Sequence, residues 1–190
     1  MNNRIEEILK ETGALLNGHF LLSSGRHGNQ YMQCAKILQR PRYAAEMTEP
    51  LAGAFAGDGV DLVLSPAVGG IIVGYELARQ LDIENMFAER ENGVMTLRRG
   101  FVIEPGSRIL IAENVITTGG TVREVMKIAD EMGAETVGVA VLVDRSMGGI
   151  DFGVKLRAAY TADIKSWEAE NCPLCHENHI PLVKPGSRNI

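Results

Sequence analysis

Residues 108–121 constrain the fold more than any other part of the chain. They read RILIAENVITTGGT: an apolar run, two polar residues, two further apolar residues, and then hydroxyls and glycines. The apolar run is typical of a strand buried in a parallel sheet, and the pattern from 121 to 132 predicts a helix. Glycines let the backbone approach a ligand closely, and successive N–H groups before a helix form an anion site. We interpret residues 117–121 as a phosphate-binding loop, called the phosphate loop below.

The two polar residues at the end of the strand extend this interpretation. Glu113 and Asn114 can hydrogen-bond neutral hydroxyl groups beside the bound anion, so the segment predicts a phosphorylated sugar as the ligand. A plain strand–turn–helix with a threonine N-cap is the alternative. The P-loop and dinucleotide-binding glycine motifs do not occur in the sequence.

The flanking sequence predicts an α/β fold. An apolar strand at 60–64 leads through a turn at 67–70 to a helix at 71–81, and another buried strand spans 136–143. Strand–helix–strand order predicts right-handed crossovers and a doubly wound, mostly parallel sheet. Asn92-Gly93, flanked by predicted strands at 85–90 and 94–103, predicts a hairpin loop. Ligands of such sheets bind at the carboxyl ends of the strands.

We divide the chain into three parts. Residues 1–40 form an N-terminal cap, 41–165 the core, and 166–190 a C-terminal tail. His27 in the cap is interpreted as structural, because a lone histidine more often packs than binds a ligand.

The amino-acid composition restricts the binding partners and the cellular compartment that we expect for this chain. Nineteen Lys and Arg against 24 Asp and Glu give a net charge of −5, which argues against a nucleic-acid partner. No run of 18 apolar residues occurs, so we expect no membrane partner. The charged N-terminus and three cysteines predict neither secretion nor a disulfide framework, and favour the cytoplasm.

The segment IAENVITTGGT resembles the phosphoribosyl-diphosphate signature of the type I phosphoribosyltransferases. The resemblance implies the fold of that family and a site for 5-phosphoribosyl 1-diphosphate. Asn114 departs from the signature, which normally carries two adjacent acids. The residues implied in binding the sugar diphosphate are Glu113, Asn114, Val115, Ile116, Thr117, Thr118, Gly119, Gly120 and Thr121.

Three further motifs resemble the orotate phosphoribosyltransferases: FLLSSGRHGNQYMQ at 20–33, SPAVGGI at 65–71 and Val-Asp-Arg at 143–145. The resemblance implies transfer of ribose 5-phosphate from the sugar diphosphate to orotate, giving orotidine 5′-phosphate and diphosphate. It makes the cap, residues 1–40, a base-binding segment and places Arg145 and Thr117 on orotate. A guanidinium fork suits the orotate carboxylate. Gly69 stands where the best-known orotate enzymes carry a lysine. A phosphoribosyltransferase for another base, or a non-catalytic regulator on this fold, remains the alternative.

The resemblance also implies which groups bind the leaving diphosphate. Arg90 matches an arginine that reaches the diphosphate, commonly in the neighbouring subunit, which implies a homodimer with shared sites. Arg98 and Arg99 are the other cations of the hairpin; they either replace the lysines and histidine of the family loop or form a solvated face. Glu113 is expected to stabilise positive charge on the ribose ring. Mg²⁺ is the expected cofactor, held by substrate oxygens and water without a direct protein ligand.

The tail carries a second candidate site. Cys172, Cys175, His176 and His179 could form a zinc knuckle. The alternative is a turn fixed by Pro173 with partly buried cysteines. We expect the turn, because four ligands within eight residues would crowd a tetrahedral site and the sequence shows no second, distant ligand pair.

Overall fold

The computed structural model describes residues 2–22, 24–146, 148–162, 164–177 and 179–185. They fall into two compact units: Leu38–Ala162, and Met1–Ile37 together with Asp163–Ile190. The smaller unit draws on both ends of the chain, and the predicted division into cap, core and tail stays a prediction. The predicted base-binding role of the cap stays a prediction.

The helices and strands are numbered in chain order, with one 3₁₀ turn at Ala169–Asn171. The elements are α1 (Asn2–Thr12), β1 (Leu15–Leu21), β2 (His27–Met32), α2 (Ala35–Leu38), α3 (Pro41–Phe55), β3 (Leu62–Pro66), α4 (Gly69–Leu81), β4 (Glu84–Glu91), β5 (Val94–Leu97), β6 (Arg108–Ile116), α5 (Gly120–Glu131), β7 (Glu135–Asp144), β8 (Lys155–Thr161), β9 (Ser166–Trp167), α6 (Pro173–Glu177) and β10 (Leu182–Val183).

The larger unit is built on a six-stranded sheet in the order β5-β4-β3-β6-β7-β8. All neighbouring pairs are parallel except β4 with β5, which is the hairpin at one edge. The chain steps from β3 to β4 in one direction and from β6 to β7 in the other. Because such crossovers are right-handed, α4 and α5 cover opposite faces. The prediction of an α/β, doubly wound, mostly parallel sheet is confirmed.

The strands of this sheet are buried because their side chains meet helices on both faces. Leu64, Ile111 and Val141 are fully buried in one cluster with Val125 and Ile128 of α5. On the other face, α4 contacts β3 and β6, and α3 packs on α4. The near-continuous apolar pattern of the central strands reflects this two-sided burial.

Three details differ from the predicted elements. Strand β6 extends to Ile116, so Glu113 and Asn114 lie within the strand and not after it. The second hairpin strand ends at Leu97, well short of the predicted 103. Strand β8, whose residues are mostly half-buried, was not predicted because its mixed sequence KLRAAYT shows no apolar run. The hairpin turn itself is confirmed: Asn92 and Gly93 have φ of 51° and 84°, as a tight two-residue turn requires.

The smaller unit contains a four-stranded sheet in the order β10-β1-β2-β9. Strands β1 and β2 form an antiparallel hairpin, β10 joins β1 in parallel, and β9 joins β2 antiparallel. The C-terminal segment thus contributes both edge strands of a sheet whose centre comes from the N-terminal segment. No helix in the described parts of the chain has the length and apolar character to cross a membrane.

Candidate active site

The order of the central sheet reverses between β3 and β6, which are neighbours. A crevice forms at such a switch point, outside the carboxyl ends of the two strands, and ligands of open α/β sheets bind there. Strand β3 ends at Pro66 and leads into the glycines that begin α4, and β6 ends at Ile116 and leads into the phosphate loop. The two segments with the most specific sequence signals therefore share one edge of the sheet.

The phosphate loop presents hydroxyls and backbone amides at this edge. Thr117 and Thr118 are exposed, and Gly119 precedes α5 with φ of 75°. The first hydrogen bond of the helix runs from Arg123 N to Gly119 O, so the amides of the first helical turn have no acceptor within the helix. These N–H groups and the positive end of the helix dipole are the groups that an anion site needs, and binding of the phosphate here stays a prediction.

Gly119 has a second constraint besides its left-handed backbone. A Cβ at this position would stand 2.8 Å from Cε1 of Phe152, closer than carbon atoms approach without displacement. The phosphate loop therefore rests directly on the Phe152 ring, which is itself buried.

The strand before the loop fixes the two polar residues. Glu113 is only 8% exposed, and its Oε1 accepts a hydrogen bond of 2.9 Å from the backbone N–H of Asn114. Val115 pairs with Val143 and Ile116 with Asp144 of β7, and the side chain of Ile116 is buried in the core. Ile116 and Val115 hold the loop in the sheet, so the predicted contact of Ile116 with the sugar diphosphate can involve only its backbone.

Asn114 lies against the start of α4. A Cβ at Gly69 would stand 2.4 Å from Nδ2 of Asn114, so the amide side chain occupies the space that a side chain at position 69 would need. Two of the positions at which this chain departs from the family pattern, 69 and 114, are therefore neighbours in the structure. Before them, the peptide between Ala67 and Val68 is cis.

Arg145 follows the last residue of β7 and is tied to β6. Its backbone N–H donates to Ile116 O at 2.9 Å, and the buried Asp144 accepts from Ser146 N at 2.7 Å through Oδ1. Because Ile116 and Asp144 are register partners, Thr117 and Arg145 leave neighbouring strands at the same level. The structure thus places at the same level the two residues that the family resemblance implies in base binding.

The three hairpin arginines each contact a carboxylate of the same chain. Arg90 donates to Glu124 of α5 at 2.5 Å and to Gly93 O at 2.7 Å. Arg98 lies 3.2 Å from Glu91, and Arg99 lies 2.9 Å from Glu89.

These ion pairs bear on the predicted role of the arginines. The hydrogen bond from Arg99 holds the pKa of the Glu89 carboxyl below its ordinary value. To bind a diphosphate, each arginine must exchange a carboxylate for a phosphate oxygen.

The expectation that the tail cysteines lack a distant ligand pair is wrong. Cys172 and Cys175 meet His19 and His27 of the β1–β2 hairpin, and this cluster does not include His176 or His179. The sequence contained the signal of two cysteines at knuckle spacing, but nothing in it connects them with two histidines that lie 153 and 148 positions away.

The comparisons with known proteins agree with this geometry. Residues 34–151 match the phosphoribosyl transferase domain. The orotate phosphoribosyltransferase of Pelotomaculum thermopropionicum is 56% identical over 188 residues, which cover 99% of this chain and 98% of that protein. The orotate phosphoribosyltransferase of Thermotoga maritima is 47% identical over 186 residues, covering 98% of this chain and 99% of that protein.

Solved structures show the same fold. The orotate phosphoribosyltransferase from Aeropyrum pernix has a TM-score of 0.72 at 24% identity, covering 83% of this chain and 93% of that one. An adenine phosphoribosyltransferase from Rhodothermus marinus has a TM-score of 0.68 at 21% identity, covering 85% of this chain and all of that one. The fold is thus common to enzymes named for different bases, whereas the near-full-length sequence relatives are named for orotate. The chain belongs to the orotate phosphoribosyltransferase family.

Proposed function

We propose that this member of the family joins N1 of orotate to the anomeric carbon of 5-phosphoribosyl 1-diphosphate. The N1–C1′ bond forms, the bond from C1′ to the diphosphate oxygen breaks, and orotidine 5′-phosphate, diphosphate and the N1 proton are released. The observation that carries the proposal is the position of Arg145, at the same level as Thr117 on the strand beside the phosphate loop.

The phosphate loop binds the 5′-phosphate of the sugar. Its exposed threonine hydroxyls and the first-turn amides of α5 donate hydrogen bonds, and the helix dipole favours the negative charge. Glu113 and Asn114 lie on the strand directly before the loop. The two side chains accept hydrogen bonds from the ribose hydroxyls.

Glu113 has the principal electrostatic role. The ribose ring gains positive charge as the bond to diphosphate breaks, and a carboxylate already fixed in a buried position stabilises that charge without reorganising. The bond from Asn114 N holds the Glu113 carboxylate at this position. Asn114 supplies an acceptor without a charge.

Arg145 selects the base. Orotate carries a carboxylate that adenine, hypoxanthine and uracil lack, and a guanidinium presents parallel N–H donors to such a group. The backbone bond to Ile116 O fixes the start of the Arg145 side chain at the edge of the sheet.

The donor set at the site fits Mg²⁺ bound mainly by substrate oxygens and water. Within the described ranges, the one set of three or more convergent His, Cys, Asp or Glu side chains lies in the smaller unit. Beside the phosphate loop, the oxygen atoms of Glu113 and Asn114 are assigned to the ribose hydroxyls, so the oxygen ligands that Mg²⁺ prefers come from the substrate and water. When bound to the sugar diphosphate, the ion neutralises part of the charge of the leaving group.

A homodimer with shared sites is part of the proposal. Val68, Ile72 and Tyr75, at the N-cap and on α4, are 80%, 47% and 63% exposed. Their spacing of four and three residues places them on one side of the helix. A second copy of the chain covers this apolar stripe, and Arg90 then exchanges Glu124 for the diphosphate in the partner's site.

We also place the enzyme in the cytoplasm, where its charged, membrane-impermeant sugar diphosphate is available.

Mixing inactive chains tests the shared site. An Arg90→Ala chain and a chain with Glu113→Gln, each with low activity alone, should together regain about a quarter of the wild-type activity in a randomised mixture of dimers. Verified mixed dimers that stay inactive would mean that Arg90 acts within its own subunit.

The choice of base is tested by initial rates with 5-phosphoribosyl 1-diphosphate and Mg²⁺. Orotate should be consumed, whereas adenine, hypoxanthine and uracil should react at least about 100-fold more slowly, the loss expected when a fixed guanidinium has no carboxylate partner. Faster reaction with adenine would replace the orotate assignment by the alternative base.

A further inference from the structure

Four metal-ligating side chains converge in the smaller unit. His19 lies in β1 and His27 in β2, whereas Cys172 precedes α6 and Cys175 lies within it. One ligand atom from each residue lies within 4.8 Å of the other three, and all the residues except Cys175 are buried. We call these four residues the Cys–His cluster.

Four of the distances between the ligand atoms are close to those of a tetrahedron around one ion. Nε2 of His19 lies 3.1 Å from Nδ1 of His27 and 3.4 Å and 3.7 Å from the sulfurs of Cys172 and Cys175. Nδ1 of His27 lies 3.2 Å from Sγ of Cys175. Tetrahedral zinc, with Zn–S of about 2.3 Å and Zn–N of about 2.0–2.1 Å, separates its ligand atoms by about 3.3–3.8 Å.

The hydrogen bonds around His19 favour a metal over a set of mutual hydrogen bonds. Nδ1 of His19 lies 3.2 Å from Ile180 O and donates to it, because a carbonyl only accepts. Nε2 of a neutral ring is then an acceptor with a single lone pair. Three neighbours crowd this one lone pair: Nδ1 of His27 and both sulfurs. A cation at the centre satisfies all four groups at once.

The local backbone also suits a zinc knuckle. Cys172 and Cys175 have the C-x₂-C spacing, and the turn between them is closed by a hydrogen bond of 3.1 Å from Cys175 N to Cys172 O. On the other side, Leu21 is the register partner of His27, and His19 lies two residues before Leu21. Side chains at such diagonal positions share one face of a hairpin.

We propose that the Cys–His cluster binds one structural Zn²⁺ ion. Two thiolates and two imidazoles in tetrahedral array are a zinc donor set, and softer sulfur ligands disfavour Mg²⁺ or Ca²⁺. Four protein ligands leave no open coordination position, so the ion stabilises the fold and does not react. Nδ1–H of His19 bonded to Ile180 O supplies the outer partner that orients a metal-bound histidine.

The ion would join segments that are far apart in the sequence. His19 and Cys172 are 153 positions apart, and the segment that carries the cysteines also supplies both edge strands of the small sheet. Binding energy at a metal site becomes folding energy when the site is absent from the unfolded chain. The zinc therefore fixes the C-terminal segment to the β1–β2 hairpin.

Metal analysis of the purified chain tests the proposal. Protein prepared without chelators should contain about one zinc per chain by plasma mass spectrometry. Cys172→Ser and His19→Ala should lose it, and His176→Ala and His179→Ala, which remove histidines beside the knuckle but outside the cluster, should keep it. Zinc lost from the His176 and His179 variants but retained in His19→Ala would overturn the ligand assignment.

A second measurement uses the wild-type chain, so that the proposal can be tested even if the variants fail to fold. Apoprotein made by chelation under reducing conditions should take up one Zn²⁺ or Co²⁺, and the Co²⁺ form should show the intense visible bands of tetrahedral thiolate coordination. Zn²⁺ should raise the Tm of the apoprotein by about 5–15 °C and protect the C-terminal segment from proteolysis.

Three results would overturn the zinc proposal. They are failure of the reduced apoprotein to bind Zn²⁺ at micromolar concentration, a Cys172–Cys175 disulfide in protein purified under reducing conditions, and stoichiometric iron in place of zinc.

Discussion

The phosphate loop and the Cys–His cluster are assembled in opposite ways. The loop is one continuous stretch, in which a strand, two glycines and a helix N-terminus follow each other within 14 residues of the sequence, 108–121. The cluster draws two histidines from a hairpin near the N-terminus and two cysteines from a segment more than 140 positions later. The phosphate loop is therefore encoded by one contiguous segment of the sequence, whereas the Cys–His cluster forms only when the chain folds.

This difference explains what sequence reasoning found and what it missed. Residues 117–121 predict an anion site because the backbone of the loop is itself the binding group, and its conformation depends on neighbouring glycines. The histidines carry no local signal: His19 and His27 are ordinary strand residues until β9 and β10 attach the C-terminal segment to their hairpin.

The largest effect is expected from altering the backbone of the phosphate loop. Gly119→Ala should reduce kcat/KM for 5-phosphoribosyl 1-diphosphate by about 100-fold or more. The substitution forces an L-residue to φ of 75°, which costs about 1–2 kcal/mol, and it drives a Cβ into the Phe152 ring at 2.8 Å. The displaced loop no longer aims its amides at the phosphate, and loss of one preorganised donor alone costs about 100- to 1000-fold.

Gly106→Ala is the matched control, measured by the same steady-state kinetics. Gly106 also has a positive φ, 83°, but no atom lies within 4 Å of an added Cβ. Its kcat/KM should stay within about twofold of wild type. A Gly119→Ala enzyme with unchanged KM for the sugar diphosphate would show that the phosphate binds elsewhere.

The second prediction distinguishes the binding of orotate from the binding of the sugar diphosphate. Arg145→Ala should weaken orotate binding by about 10- to 100-fold, because a charge-assisted bond in a closed site contributes about 1.5–3 kcal/mol. Binding of the sugar diphosphate should change little. Isothermal titration with each substrate measures both constants, and Arg157→Ala, an exposed arginine on β8, is the control. Equal losses for the two substrates would remove Arg145 from the base site.

The smallest expected effect is an increase in kcat/KM. Asn114→Asp should raise kcat/KM about tenfold, within a range of about five- to thirtyfold, since a charged acceptor contributes about 1–2 kcal/mol more than a neutral one. The change is nearly isosteric, so the contact with Gly69 should persist and orotate affinity should stay constant. A rate that is unchanged or lower would leave the electrostatic role to Glu113 alone.

Most of the core architecture could be predicted because its signals are local. The Asn92-Gly93 turn, the buried strands and the helix after the phosphate loop follow from backbone preferences and two-sided burial. The extension of β6 through Glu113 could not be predicted, because a buried parallel strand normally reads as a continuous apolar run, and Glu113 and Asn114 interrupt that run. The partners of the three hairpin arginines could not be predicted either, because tertiary and hairpin geometry makes them neighbours. The pairs are Arg90 with Glu124, Arg98 with Glu91 and Arg99 with Glu89.

The most direct test of the substrate site is the identity and amount of product. Wild-type chain is incubated with ¹⁵N1-labelled orotate, 5-phosphoribosyl 1-diphosphate and Mg²⁺, and the products are resolved by NMR and mass spectrometry, with Gly119→Ala as the inactive control. We expect equal amounts of orotidine 5′-phosphate and diphosphate, with scalar coupling between the ¹⁵N1 label and H1′ of ribose. Diphosphate released without a nucleotide product, or a nucleotide that is not linked through N1, would contradict the proposed reaction.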